Sequence, residues 1–403
     1  MLYLLFLFFF FFGLGSNFSS LSPYFLSNFE GSAKWLFFSM QIALPLGNFL
    51  SGWLSDRAGK IRVFLLIGSF CVIPAQFSLY SFPDSFFLTA ISAFFLRFLL
   101  TANYQWLSIA AIENLGEHKF SRVRSAGTIG FLLVQALLFV LTTRIGGKEA
   151  VLNRPDETGR LGSLFFLFCL PLAFLIPKKR KTARPFRFGD AVKLLQTKEI
   201  SFFFSVSFLY YFAYQVSDNY LGKFLQVSEG LNFVFLSWVF AVILEIPFLY
   251  YLPSLIQKNG NISIFYLSLI FGFIRFTILA FACFYPSKTL FLTAQFLHSI
   301  LFAGYYMGAI YWIRKHSPPE IYGSVIGLYT VFSLSFGVML GNLFYGNLLE
   351  KKVSERFIFF INPNPSLKAL QLSNFFSLFF LTASIFLLLL LAFFIYRRKN
   401  KTV

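Results

Sequence analysis

Charged residues are scarce in this sequence: Asp, Glu, Lys and Arg make up 12% of the 403 residues, whereas hydrophobic residues make up 57%. A soluble domain keeps roughly a quarter of its residues charged, because water covers its surface. This chain has too few charges for that, which excludes an ordinary soluble enzyme or binding module. A lipid bilayer is therefore the expected solvent for most of its surface.

Cysteine and histidine are also rare, with three residues of each. The cysteines are Cys71, Cys169 and Cys283. They are odd in number, unclustered and set in apolar segments, so we predict buried thiols with neither a disulfide framework nor a metal site. A membrane-embedded transferase would need paired Asp or His residues at a membrane face, but His118, His298 and His316 are scattered. We predict no enzymatic activity, no metal and no cofactor.

Long apolar runs dominate what is present. A helix needs about 20 mainly apolar residues to cross a bilayer, and the sequence holds twelve such stretches. They cover residues 2–26, 34–54, 63–82, 85–112, 122–143, 161–177, 200–222, 231–254, 262–282, 288–313, 322–344 and 371–396. A membrane β-barrel would need shorter segments of strict alternation. The fold class predicted is all-α integral membrane, with twelve transmembrane helices.

Lys and Arg residues indicate the orientation. If the first helix runs outward, about twice as many basic residues fall on the inner side as on the outer side. Basic loops stay cytoplasmic, so we expect a bacterial inner-membrane protein with both termini in the cytoplasm. The net charge of +18 then reflects topology and attraction to anionic lipids. Membrane lipids are predicted partners, and nucleic acid is not.

Two short matches indicate an internal repeat. LSDRAGK, at 54–60, and LIQKNGN, at 255–261, share basic and Gly positions at an offset of 201. Gly127 and Gly327 match at an offset of 200. A constant shift near half the chain length predicts two parallel six-helix repeats, with the solute site between them near the bilayer midplane.

This repeat sets the predicted domain boundaries. They are a six-helix bundle at 1–177, a basic cytoplasmic linker at 178–199, a second bundle at 200–396 and a cytoplasmic tail at 397–403.

The segment GWLSDRAGKIR resembles the signature loop of the major facilitator superfamily, between that family's second and third helices. The matching residues are Gly52, Asp56, Arg57, Gly59 and Lys60, the last standing where Arg is common. The resemblance implies that Asp56 holds the two halves together on the cytoplasmic side and that Arg57 and Gly59 form a tight turn. An ordinary basic cytoplasmic loop is the alternative interpretation.

A narrower resemblance is to the branch of lactose permease and the nucleoside and phenylpropionate proton symporters. It rests on FSRVRSAGTIGF at 120–131 and on Glu245, Arg275 and His298. It implies alternating access and proton symport. Phe131 stands where the sugar permease has a Trp that stacks on the galactosyl ring, and Leu301 stands where it has a second carboxylate. Disaccharide transport is therefore not supported.

Ionisable side chains at bilayer depth are expensive and functional by default. We hypothesise that Glu245 carries the proton, that Arg275 modulates it, and that His298 bonds the solute or relays the proton. Pro247 is expected to weaken the helix beside Glu245. The alternative is a static ion pair between Glu245 and Arg275 that fixes helix packing.

Seven further residues are predicted to line the solute cavity. They are Asn17, Arg97, Tyr104, Gln105, Arg124, Phe131 and Asp218. Asn17 and Asp218 are repeat equivalents at the offset of 201, as are Arg97 and His298. Core packing is an equal alternative for Tyr104 and Gln105, and solvation at a helix end is one for Asp218. For Arg124, placed in the cavity by the resemblance, the alternative is an ordinary topological role at a cytoplasmic helix end.

The sequence therefore predicts a monomeric secondary transporter that imports a small organic solute with protons. A proton-antiport exporter of drugs or metabolites and a non-transporting sensor or scaffold remain open alternatives, because the signature at Asp56 does not distinguish them.

Overall fold

A computed structural model describes residues 1–58, 60–115, 117–144, 154–177, 197–317, 322–361 and 365–400. Every regular element in these ranges is a helix. A chain in hydrocarbon must satisfy its backbone N–H and C=O groups internally, and a helix does so within one segment. Contacts within the described chain group into two compact units.

Unit 1 contains the first seven helices and residues 230–239. Its helices are α1 (Leu2–Asn28), α2 (Ala33–Ala58), α3 (Ile61–Leu79), α4 (Phe86–Leu115), α5 (Glu117–Arg144), α6 (Pro155–Phe165) and α7 (Cys169–Leu175). Within the unit, α1 packs on α5 and α6, and α4 packs on α2 and α3.

Unit 2 contains residues 197–229 and the described residues from 240 onward. Its helices begin with α8 (Lys198–Asn219) and α9 (Leu221–Glu229). The chain continues with α10 (Leu231–Ile243), α11 (Glu245–Asn259), α12 (Asn261–Ala282), α13 (Lys288–His316), α14 (Tyr322–Tyr329), a π-helical segment (Thr330–Ser335), α15 (Phe336–Glu350), α16 (Glu355–Ile361), α17 (Leu367–Ser373) and α18 (Phe376–Asn400). Within the unit, α12 packs on α13 and α18, and α8 packs on α15.

Eleven helical stretches of the described chain are long and apolar enough to cross a bilayer. The remaining predicted span corresponds to α2, a helix of 26 residues.

Several spans predicted as continuous helices are interrupted. The sixth contains a 3₁₀ turn at Phe166–Phe168, and the eighth breaks at Leu244 between α10 and α11. A proline follows each break, Pro171 and Pro247, and its missing N–H leaves the carbonyl four residues earlier without its helical donor. The seventh span is interrupted at Tyr220, the eleventh by the π-helical segment, and the twelfth between α17 and α18.

Glycines mark where helix backbones approach closely. A Cβ on Gly130 of α5 would collide with the carbonyl oxygen of Phe8, and a Cβ on Gly337 of α15 would lie 2.6 Å from the carbonyl oxygen of Phe208. The Phe pair is offset by 200 residues and the Gly pair by 207. The sequence comparison assumed a constant repeat shift. These matching contacts indicate instead that the shift changes within the second half.

A second pair of contacts relates the repeats. In unit 1, Gly68 of α3 faces the side-chain amide of Asn103 on α4; in unit 2, Gly304 of α13 faces the Ser268 hydroxyl of α12. Asn103 and Gly304 are 201 residues apart. The glycine therefore lies on the first helix of the pair in unit 1 and on the second helix in unit 2, while both pairs keep the close contact.

All three cysteines are free thiols; Cys169 and Cys283 are buried and Cys71 is half-buried. The predicted burial is confirmed for Cys169 and Cys283.

Candidate functional site

Arg124 contacts another predicted cavity residue, Tyr104, in unit 1. Its Nε donates a hydrogen bond to the Tyr104 hydroxyl at 2.8 Å, and its guanidinium lies 4.3 Å from the ring centroid of Phe11. Gly127, one turn along α5, lets Phe11 of α1 approach this face. A cation held over an aromatic ring is stabilised by the ring quadrupole. We call Arg124, Tyr104 and Phe11 the Arg124 cluster.

A second group in unit 1 is aromatic and includes Phe131. Trp238 of α10 packs edge-to-face on Phe18 of α1, with ring centroids 4.9 Å apart and an interplanar angle of 78°. It makes a similar contact with Phe131, at 6.2 Å and 79°, and the two Phe rings are 5.9 Å apart. We call Phe18, Phe131 and Trp238 the aromatic cluster.

Gln135 fixes the helices that carry the two Phe rings. Its Nε2 donates to the Gly15 carbonyl at 2.8 Å, and its Oε1 accepts from the Ser19 hydroxyl at 2.7 Å. The amide is fully buried, so these bonds offset its removal from water. Gln135 lies one turn after Phe131 and Ser19 directly follows Phe18, so the pair sets the positions of both rings.

Asn17 has a partner outside these clusters. The Tyr80 hydroxyl lies 2.8 Å from the Asn17 Oδ1 and 3.1 Å from its carbonyl oxygen. Asn17 is 3% exposed. The structure therefore joins Asn17 to the residue that follows α3, and this contact gives it a packing role.

Arg97 and Gln105 lie half-buried on α4. The contacts that define the Arg124 and aromatic clusters involve neither residue.

Most of the signature lies outside the described residues. This applies to Gly59. For Gly52, Asp56 and Arg57 the structure describes only the helical backbone. Helix α2 continues to Ala58, so the loop expected to begin at residue 54 is shorter than predicted. Lys60 is exposed directly before α3.

His298 of α13 faces α8 in unit 2. The Tyr214 hydroxyl lies 3.5 Å from its Nδ1, and the Phe302 ring stacks on it at 5.7 Å with an interplanar angle of 9°. Asp218, one turn after Tyr214 on α8, interacts through its side chain with the same tyrosine. Tyr214 therefore links the predicted residues Asp218 and His298.

Arg275 is fully buried on α12 and is held by α13. Its Nε donates to the Ala294 carbonyl at 3.1 Å, and its Nη2 donates to the Gln295 Oε1 at 2.9 Å. Its Nη1 has no hydrogen-bond partner among the described residues. The ion pair between Glu245 and Arg275, considered from the sequence, stays an alternative prediction.

Glu245 is the first residue of α11, whereas the sequence placed it midway along one span. It is 9% exposed and directly follows the break at Leu244. A carboxylate at a helix N-terminus is favoured by the helix dipole. The expected weakening of the helix near Pro247 fits the break at Leu244, because the missing Pro247 N–H leaves the Ile243 carbonyl without its helical donor. Ser299 of α13 donates a hydrogen bond to the Ala241 carbonyl just before the break.

Sequence reasoning missed Trp238, Gln135, Tyr214 and Gln295. Three of them lie on the same helix as a selected residue, at a helical spacing from it: Gln135 four after Phe131, Tyr214 four before Asp218, and Gln295 three before His298. Trp238 does not, because the break at Leu244 separates its helix from Glu245. Residues three or four apart share a helix face, which was the available signal for those three.

The chain matches the MFS_1 like family over residues 1–361. It belongs to that family. It is 26% identical over 335 residues to a putative nucleoside transporter, YegT of Escherichia coli, a match covering 80% of this chain and 77% of that protein. It is 22% identical over 332 residues to the nucleoside permease NupG of Escherichia coli, covering 79% and 73%.

Solved structures show the same fold. The crystal structure of the nucleoside transporter NupG superposes with a TM-score of 0.79 at 16% identity, covering 98% of this chain and 97% of that one. That of a D-xylose-proton symporter gives 0.69 at 15% identity, covering 97% and 95%. The predicted major facilitator fold of two six-helix repeats is confirmed, and the protein is a multi-pass membrane transporter.

Proposed function

We propose that this transporter imports a nucleoside, or a small solute of similar chemistry, by alternating access coupled to protons. The observation that carries the proposal lies in unit 2, where Arg275, His298 and Tyr214 are buried, Asp218 is half-buried, and the Tyr214 hydroxyl lies 3.5 Å from the His298 Nδ1. Ionisable groups therefore lie inside a membrane bundle. The two Escherichia coli relatives are a putative nucleoside transporter and a nucleoside permease, which supports a nucleoside as the solute.

The coupling set extends the three residues predicted from the sequence. Arg275 carries a permanent charge, and a buried cation is tolerated when an anion compensates it. Asp218 and Glu245 are the carboxylates that we assign to this role, with Glu245 as the proton carrier. Tyr214 and His298 offer a hydrogen-bonded path along which a proton is relayed.

The solute part of the proposal uses unit 1. The Phe18 and Phe131 rings are half-buried and offer aromatic surface to a planar base. The Arg124 guanidinium, held by Tyr104 and Phe11, is a positioned donor for a solute oxygen. We also propose a monomer without enzymatic activity, in the bacterial inner membrane, with both termini cytoplasmic and anionic lipids around it.

Labelled adenosine and uridine, with D-xylose as a comparison solute, test this function in proteoliposomes with an imposed inward proton gradient. We expect both nucleosides to accumulate and a protonophore to abolish the accumulation. Nucleoside uptake that ignores the gradient would contradict proton coupling alone. If neither nucleoside crosses the membrane in either direction, the solute class is wrong.

The variants Glu245→Gln and Arg275→Gln test the coupling set, with the exposed Lys315→Gln as a matched charge control. We expect gradient-driven uptake to fall at least tenfold in both variants, while Lys315→Gln keeps wild-type uptake. Exchange of labelled for unlabelled nucleoside needs no net proton movement and should persist in Glu245→Gln. Unchanged gradient-driven uptake in Glu245→Gln would remove it as the proton carrier.

A further inference from the structure

The aromatic cluster has one well-buried ring and two partly accessible ones. Trp238 is 4% exposed, whereas Phe18 and Phe131 are half-buried. The indole meets both Phe rings edge-to-face, the geometry that aromatic pairs prefer. Trp238 thus covers ring surface that Phe18 and Phe131 would otherwise offer to a solute.

The helix that carries Trp238 is bounded by two joints. Gly230, just before α10, has a backbone φ of +95°, a conformation that residues other than glycine rarely adopt. The helix is interrupted again at Leu244, and Pro247 lacks the N–H that would bond the Ile243 carbonyl. The 13-residue helix α10 therefore has an interruption at each end, where backbone rotation changes its direction without unwinding it.

We infer that Trp238 is an aromatic gate whose indole occupies the ring-binding surface of Phe18 and Phe131 until a planar heteroaromatic ring of the solute displaces it. The inference rests on the proposed function. Indole is a flat bicyclic ring of the size of a purine, so the surface it covers matches a nucleobase in shape and chemistry. Trp238 is then a specificity-determining residue that competes with the solute.

This competition has a defined consequence. When only a fraction of the protein is in the binding-competent state, the apparent Kd equals the intrinsic Kd divided by that fraction. A solute whose ring needs the Phe surface must displace the indole first. A sugar without a base has no aromatic ring to place there, so its binding is independent of the gate.

The test measures equilibrium binding of adenosine and of ribose to the purified full-length protein, for wild type, Trp238→Ala and Trp238→Phe. The exposed Trp35→Phe is the matched control. Removing the indole should lower the Kd for adenosine by about fivefold to tenfold, since two aromatic contacts no longer compete. Trp238→Phe should lower it by a smaller factor, and the Kd for ribose should not change.

Fluorescence provides a readout that does not depend on the Ala variant folding. The emission present in wild type and missing in Trp238→Phe belongs to Trp238, and we expect adenosine to shift it to longer wavelength as the indole leaves its buried position. An unshifted Trp238 emission, or an adenosine Kd that stays constant or rises in the variants, would overturn the gate. Wild-type protein that binds no nucleoside would overturn the proposed function and the gate together.

Discussion

Helices α1 and α8 occupy equivalent places in the two repeats and build their surroundings from different residues. In unit 1, the Ser16 hydroxyl donates to the Thr158 carbonyl at 2.5 Å, and the Ser20 and Thr158 hydroxyls are 2.8 Å apart. In unit 2, the Tyr210 ring stacks on Tyr305 with centroids 3.5 Å apart and planes 5° apart, and also stacks on Tyr214 at 5.7 Å.

The difference shows two ways of packing one fold. Both helices meet a neighbour at backbone distance, α1 at Gly130 and α8 at Gly337. Around Ser16 and Ser20, hydroxyl groups also hold α1 to its neighbour by hydrogen bonds. Rings fill the space around α8, and their hydroxyls place polar groups inside an apolar bundle. The tyrosine that reaches His298 belongs to this stack, so the aromatic packing of unit 2 also positions the proposed coupling residues.

Breaking the closest backbone contact of unit 1 should have the largest effect. Gly130→Val would place side-chain atoms against the Phe8 carbonyl, which cannot move without shifting α1. We expect loss of most folded protein, measured as the monodisperse fraction after detergent extraction. Gly31→Val is the control, because no atom lies within 4 Å of a Cβ there. Equal yields of the two variants would show that α1 and α5 tolerate wider separation.

Removing a stacked ring from unit 2 should have the next largest effect. Tyr210 is 1% exposed, and Tyr210→Ala deletes its ring contacts and the hydrogen bond to the Leu301 carbonyl. Loss of a large buried aromatic side chain typically lowers the free energy of unfolding by about 3–5 kcal/mol. Thermal unfolding in detergent should show a clear drop in Tm, against little change for Tyr250→Ala, whose side chain is 78% exposed. Matching Tm values would mean that the stack does not stabilise unit 2.

A single hydrogen bond in unit 1 gives the smallest expected effect. Tyr80→Phe removes the bond to Asn17 and keeps the ring, so the free energy of unfolding should fall by about 1 kcal/mol. The same measurement on Tyr251→Phe, at a 60% exposed position, supplies the baseline. A loss as large as that of Tyr210→Ala would contradict the view that hydrogen bonds in unit 1 contribute in small, separate steps.

Hydropathy predicted the helices well because the bilayer imposes both their length and their apolar composition. It did not predict the interruptions at Leu244, Phe166 and Tyr220. A break depends on how neighbouring helices pack against the interrupted segment; near Leu244, for example, Ser299 of α13 donates to the Ala241 carbonyl. That information is tertiary.

The candidate site could be predicted from the sequence to a similar extent. The cost of burying a charge selected Arg275 and His298, and both are buried. Burial cost gave no signal for the partners of Arg275, because Gln295 and the Ala294 carbonyl are neutral groups; only the helical spacing of Gln295 from His298 pointed to it. Trp238 was missed because 62 Phe residues made aromatic content uninformative, and only the packing of α10 gave one Trp a distinct position.

The exchange of Gly68 and Asn103 for Ser268 and Gly304 has a consequence for how the two halves diverged. Each helix crossing keeps one glycine against one polar side chain, although the glycine sits on opposite partners. A duplicated gene can drift this way when a substitution on one helix is compensated on its neighbour. Selection then acts on the summed volume at the crossing, so the halves can remain alike in structure after position-by-position identity between them has largely disappeared.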